Sequence, residues 1–155
     1  MSDPVAAFDL KISNQISPPD LLKQTAITYN TTPTPQSTFS YAYALSHSAK
    51  QSERVYGLQL FDQLIASNYE HSVDCFYGSA VAQYLNGDFS GSRKSVEAIL
   101  RANPENERAL ELHAATIQII EKKERQENIA VGTGVLAVGV GLVVGIAGIL
   151  IGKKR

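Results

Sequence analysis

Residues 129–151 read IAVGTGVLAVGVGLVVGIAGILI, twenty-three positions without a charged side chain. At about 1.5 Å per residue such a helix is roughly 35 Å long, enough to cross a hydrocarbon core of about 30 Å with some tilt. Thr133 is the only polar residue, and a threonine hydroxyl can bond back to a carbonyl of its own helix. A buried core helix is the alternative, but one apolar all round needs a larger protein about it. The run predicts a single transmembrane helix over 129–151, with a basic tail, 152–155, closing on Lys153, Lys154 and Arg155. With so short a tail, insertion is expected after synthesis, leaving residues 1–128 in the cytosol. A moderately hydrophobic, glycine-rich anchor with a basic tip suits the mitochondrial or peroxisomal surface, where a longer, leucine-rich one would suit the secretory pathway.

Small residues recur within the run. Thr133, Ala137, Gly141 and Gly145 fall four apart and form one ridge along which a second helix can approach closely. Self-association of anchors is one reading, and lowered hydrophobicity for targeting is the other. Gly132-Thr133-Gly134 followed by Ala137 also imitates the dinucleotide-binding fingerprint. That motif needs a preceding strand and a ribose-binding acid about 20 residues later. Here the lead-in is the charged run EKKERQEN, and no acid follows Glu127.

The remaining charge argues against several functions. Residues 1–128 hold all 15 acidic but only 11 of the 14 basic residues, without a basic cluster, which disfavours nucleic acid as a partner. One cysteine, Cys75, and three scattered histidines offer neither an internal disulfide nor metal-ligand spacing. The start, MSDPVAAFDLKIS, lacks the basic lead and apolar stretch of a signal peptide. Neither a metal nor a cofactor is expected.

An internal repeat organises the cytosolic part. Tyr41-Ala42-Tyr43-Ala44 aligns with Tyr77-Gly78-Ser79-Ala80 at an offset of 36, and Gly57 with Ser92 at 35. A period near 35 with small residues at two internal positions is the signature of the tetratricopeptide (TPR) helix pair. Ala44, Gly57, Ala80 and Ser92 would sit where paired helices cross. Gly87 would end one helix, Asp88 cap the next, and Asn103-Pro104 cap and open a third. The pattern predicts an all-α chain: a six-helix bundle with two tandem TPR-like pairs, then the transmembrane helix. The helices are expected over 19–30, 36–49, 52–67, 72–86, 89–102 and 104–127, the last reaching the span. Ala109, Leu112, Thr116, Ile119 and Ile120 form its packing stripe. The domains are therefore an irregular N-terminal arm, 1–17, a helical domain, 18–128, the anchor and the tail. Asn30-Thr31-Thr32 is a formal glycosylation sequon that a cytosolic domain would leave unused.

These features resemble the mitochondrial fission 1 protein family. The resemblance is carried by Phe39-x-Tyr41-Ala42-x-x-Leu45, Glu53-Arg54-x-x-Gly57-Leu58-x-Leu60, Cys75-x-Tyr77-x-x-Ala80, Gly87-Asp88-Phe89 and Asn103-Pro104-Glu105-Asn106. It runs collinearly from about residue 36 to the end. Tyr43 stands where the family usually has tryptophan, and Glu127-Asn128-Ile129 replaces an acidic-glycine lead-in. The Pro/Thr connector over 30–36 and the arm have no clear counterpart.

No catalytic constellation is evident, so the chain is not expected to be an enzyme. Ser46-His47-Ser48 places hydroxyls beside an imidazole, but helical neighbours point about 100° apart and no orienting carboxylate is near. His47 is expected to be an exposed residue at a helix end, and Cys75 to be packed. In TPR geometry the first helix of each pair lines a concave groove. Tyr41, Leu45 and Ser48 from one pair and Tyr77, Val81 and Tyr84 from the other, with Leu85 at its edge, are the candidate partner-binding residues. Tyrosine, apolar with a hydrogen-bonding tip, suits this role. Lys, Arg and Asn, which clamp carboxylates in chaperone-binding TPR domains, are missing from these positions. An apolar groove needs covering when empty, and the arm with Phe8, Leu10 and Ile12 is the expected cover. The resemblance implies a tail-anchored adaptor on the mitochondrial outer membrane, and also on peroxisomes. It would recruit a dynamin-related GTPase or its adaptor proteins through the groove, with homo-oligomers forming through the transmembrane helix. No small-molecule substrate is implied. The alternative is a tail-anchored receptor for preprotein targeting peptides.

Overall fold

A computed structural model describes the backbone of residues 2–138 and the side-chain surroundings of residues 2–131. Seven helices and no strand occur among them: α1 (Pro4–Ser13), α2 (Pro19–Thr31), α3 (Pro35–Ser46), α4 (Gln51–Ala66), α5 (Ser72–Leu85), α6 (Phe89–Ala102) and α7 (Glu107–Val138).

Local chemistry accounts for the boundaries. Thr34 and Ser37 form a reciprocal capping box ahead of α3, with Pro35 in the first turn. Gly87, at φ 81°, ends α5 in the left-handed region that glycine enters without penalty. Asp88 then caps α6, its carboxylate accepting from the Gly91 amide at 2.9 Å.

Three expectations change. The arm is not irregular: residues 4–13 form α1, started by Asp3, which accepts from the Val5 amide at 3.0 Å, and by Pro4. On that helix Phe8 and Ile12, four apart, share a buried face, while Leu10 turns outward and is 67% exposed. The six-helix bundle thus gains a seventh member. Asn103-Pro104 does not open the last helix either: Asn103 holds a turn by accepting from the Glu105 amide at 3.2 Å. Asn106 caps α7, accepting from the Ala109 amide at 3.0 Å.

The residues up to Ile119 form one compact unit. One of its two apolar clusters joins Ala42 and Leu45 of α3, Leu60, Phe61 and Leu64 of α4, and Cys75 of α5. The other joins Tyr77, Ala80, Val81 and Tyr84 of α5 to Val96, Ile99, Ala109, Leu112 and Ala115, and to Phe8 and Ile12 of α1. The helix crossings explain the small residues. A Cβ on Gly57 would sit 3.0 Å from Leu45 Cβ and 3.1 Å from the Ala42 carbonyl oxygen, so only glycine lets α3 and α4 approach this closely. Ala44 and Ala80 are buried, and Ser92, fully buried, donates to the Ala80 carbonyl at 2.8 Å, tying α6 to α5. Pro104 is exposed in the turn before α7.

The second unit begins at Ile120, and its described part is the continuation of α7, with residues 121–131 exposed. No helix among the described residues is long and apolar enough to cross a membrane. Thr133 and Ala137 lie in the α7 backbone, and their side chains are outside the described set. Most of the 129–151 segment, with Gly141, Gly145 and the tail Lys153, Lys154 and Arg155, lies outside the described residues.

Candidate partner-binding groove

Helices α3 and α5 carry all seven candidate groove residues, and most of these are covered. Leu45, Ser48, Tyr77 and Val81 are at most 2% exposed and Tyr84 is 6% exposed, whereas Tyr41 and Leu85 are half-buried. The expectation that Tyr84 faces solvent is corrected: α1 lies over it. The Phe8 ring meets the Tyr84 ring edge-on at 5.0 Å, and Phe89 flanks it at 5.4 Å. The Tyr84 hydroxyl donates to Asp9 Oδ1 at 2.7 Å. Burial pushes the Tyr84 phenol well up, and the Asp9 bond and charge add to this because they favour the protonated form.

Tyr77 is held differently. The Arg108 guanidinium lies 4.1 Å above its ring centre, a cation–π contact. Burial pushes the Tyr77 phenol up to about 12, against the opposing pull of the Arg108 charge. Tyr41 remains in an aromatic patch, its ring 5.4 Å from Tyr29 and 5.8 Å from Tyr56. Ser48 joins the α3–α4 turn: its hydroxyl bonds Glu53 and accepts from the Lys50 amide at 3.0 Å.

The chain from α1 to α2 crosses α3 as a strap. The Ser17 amide donates to the His47 carbonyl at 2.9 Å, and the Ser17 hydroxyl donates to the Ala44 carbonyl at 2.7 Å. A cleft of about 680 Å³, lined in part by Lys11, Phe39, Tyr43, His47 and Arg108, opens beside the strap. A second, of about 630 Å³, is lined in part by Leu22, Tyr41, Leu45, Ser48 and Lys50. Ile16, Ser17 and Pro18 contribute to both walls.

His47 is not the exposed helix-end residue expected. It is 3% exposed, stacked on Tyr43 at 4.6 Å, and covered where the strap pairs with its carbonyl. Burial lowers its pKa, the Tyr43 carbonyl opposes the shift, and the Arg108 charge adds to the lowering. Cys75 is fully buried, and burial lifts its thiol to about 11. Sequence reasoning also missed Arg54. Its Nε donates to Asn86 Oδ1 at 2.7 Å and its Nη1 to the Ser48 carbonyl at 2.8 Å, so one guanidinium joins the ends of α3 and α5. A cation at helix C-termini is favourably placed against their exposed carbonyls, and Glu53-Arg54 was the available signal.

Crossed helix pairs with a concave groove define a tetratricopeptide-type helical domain. The family profile described as the Fis1 C-terminal tetratricopeptide repeat matches residues 73–125. A mitochondrial fission 1 protein of Debaryomyces hansenii is 32% identical over 126 residues, which span 79% of this chain and 77% of that protein. The Candida albicans protein of the same name is 30% identical over 138 residues, 87% of this chain and 84% of that one. The chain belongs to the mitochondrial fission 1 protein family. The crystal structure of Fis1 from Saccharomyces cerevisiae has a similar fold, with a TM-score of 0.68 at 20% identity, over 75% of this chain and 95% of that one. Yeast Fis1 crystallised with an Mdv1 fragment containing its N-terminal extension and coiled-coil domains gives a TM-score of 0.63 at 20% identity, over 73% of this chain and 94% of that one.

Proposed function

We propose that this chain is an adaptor of mitochondrial fission, moored in the outer membrane by residues 129–151, that recruits division machinery through the α3–α5 groove. The observation that carries the reading is the seating of α1: Phe8 and Ile12 fill an apolar, tyrosine-lined surface that a partner's own apolar side chains would suit equally. Relatives named for mitochondrial fission, and a yeast relative crystallised with an Mdv1 fragment, support an adaptor rather than an enzyme. The partner is a dynamin-related GTPase or an adaptor protein that binds one, and α1 gives way to it. Tethering in a membrane raises local concentration, so modest groove contacts suffice against a multivalent partner. The same anchor would serve peroxisomes, and its small-residue ridge would allow pairing of anchors.

The test is capture of an Mdv1-type N-terminal extension and coiled-coil fragment by full-length protein in lipid nanodiscs. Comparison is made with a form lacking residues 1–17 and with Tyr84→Ala. Stronger capture without the arm and weaker capture by Tyr84→Ala are expected. Unchanged capture by both removes the groove from the proposal. Elongated mitochondria after depletion are the expected cellular result, and resistance to carbonate extraction tests the anchor.

A further inference from the structure

The cleft beside the strap has chemistry that the tyrosine-lined surface under α1 lacks. Two cations, Lys11 of α1 and Arg108 of α7, line it, and none of its lining residues is a carboxylate. Each cation is held by an acid outside that lining: Lys11 Nζ by Glu111 at 2.5 Å, and Arg108 Nη2 by Asp74 at 3.1 Å. Arg108 thus engages one of its five N–H groups, and the others have no acceptor among the described residues. Apolar wall is supplied by Phe39, Tyr43 and Leu21.

His47 adds the second observation. Its Nδ1 lies 3.1 Å from the Tyr43 carbonyl oxygen, which can only accept, so Nδ1 carries the proton. In the neutral ring Nε2 is therefore a bare lone pair, and this atom is buried without a hydrogen-bond partner. A buried acceptor left alone is costly, and protonation turns it into a donor. The groups around the ring are cationic or neutral: Lys11 on α1, Arg108 on α7, Tyr77 on α5 and Tyr43 on α3 line the same cleft.

We propose that this cleft receives a carboxylate side chain of the partner, seated between Arg108 and His47 Nε2 with Lys11 at the rim and an apolar neighbour against Phe39 and Tyr43. Binding takes up one proton from solvent, which His47 Nε2 then donates to the carboxylate oxygen. The occupant is an acidic amphipathic peptide segment; charge complementarity selects it, because a basic targeting peptide would meet two like charges. The site rests on the adaptor reading only for the partner's identity.

The experiment uses full-length protein in nanodiscs and three probes: a capped twelve-residue peptide of leucine and glutamate, its glutamine counterpart, and inorganic phosphate. Binding is followed by titration and by the nitrogen-15 shift of His47. The glutamate peptide is expected to bind, to convert His47 to the doubly protonated ring, and to tighten about fivefold between pH 8 and pH 6. Arg108→Gln and Lys11→Gln, each at a part-exposed residue that leaves the core intact, are expected to weaken it about tenfold and severalfold. The proposal is overturned if the glutamine peptide binds as well, if His47 does not respond, or if both variants bind like the parent. Phosphate binding as tightly as the peptide also overturns it, as a site for any small anion. Capture of the Mdv1-type fragment is measured in parallel. Capture unaffected by Arg108→Gln defeats this site and leaves the adaptor reading standing. Absent capture alongside a responsive His47 defeats the adaptor reading alone.

Discussion

Truncating Phe8 to alanine isolates the coupling between α1 and the groove. The ring is 2% exposed and meets Tyr84 edge-on at 5.0 Å. Burying a phenylalanine side chain contributes about 1.5–3 kcal/mol, and a well-placed aromatic pair about 0.5–1.5 kcal/mol more. The seated state of α1 should therefore lose about 3 kcal/mol relative to the lifted state, roughly a hundredfold in their ratio. The change is local, because the α3–α4–α5 cluster contains no residue of α1. Amide hydrogen exchange reads it directly: protection of α1 should fall by that factor while α4 keeps the protection set by global unfolding. If seated α1 excludes the partner, apparent affinity rises until the lifted state dominates, then stops, since only the competent fraction limits it. Leu10→Ala, on the exposed side of the same helix, is the control and should move exchange by less than about 0.5 kcal/mol. Unchanged α1 protection in Phe8→Ala, or an equal loss in α4, would refute the idea of an independently lifting latch.

Three further outcomes follow from the packing. Gly57→Ala should lower stability by about 1–2 kcal/mol in urea unfolding, because the new methyl meets backbone atoms of α3 that cannot yield, and this outweighs the gain in helix propensity. Raising the pH should destabilise the fold from about pH 10. Tyr77 and Tyr84 have raised folded-state pKa values, so the unfolded chain loses those protons first. The loss should deepen until Tyr77 itself titrates near 12, and a flat urea midpoint between pH 9 and 11 would contradict it. Cys75 should resist iodoacetamide at pH 8 and react only at the rate of unfolding, because it is buried and its thiol titrates near 11; fast labelling of native protein would mean that α5 opens locally.

Much of this architecture is legible because it is written in local chemistry. Thr34-Pro35, Gly87-Asp88 and the small residues at the crossings fix α3 to α6 to within about three residues of the expected limits, with the period of 35 setting their order. The arm misleads because Phe8, Leu10 and Ile12 satisfy alternation as well as a helical i, i+4 pair; Asp3-Pro4 was the deciding start signal. The contents of the groove depend on contacts between distant residues, which local pattern does not encode. His47 is buried by Ser17, thirty positions earlier, and Tyr77 is covered by Arg108, thirty-one positions later. The tyrosines were correctly read as one surface, yet whether that surface is open depends on the arm.

A cover that must also leave faces two limits, and the composition of α1 sits between them. If it bound too weakly, Tyr84, Val81 and Leu85 would form an exposed apolar patch of the kind that drives aggregation. If it bound as a core helix binds, no partner of ordinary affinity could displace it, since shifting an equilibrium from 1:99 to 99:1 already requires about 5.5 kcal/mol of differential binding. Helix α1 is short, offers two fully buried apolar side chains, and adds one tyrosine–carboxylate bond and one surface ion pair. Lys11–Glu111 is 34% and 53% exposed, so solvent screens it and its contribution is small. Isolated from the groove, a ten-residue helix does not hold its shape in water, so lifting also melts α1 and regains chain entropy that offsets lost burial. That places the latch within a few kcal/mol of balance, where a partner offering its own apolar anchors to Tyr84 can compete.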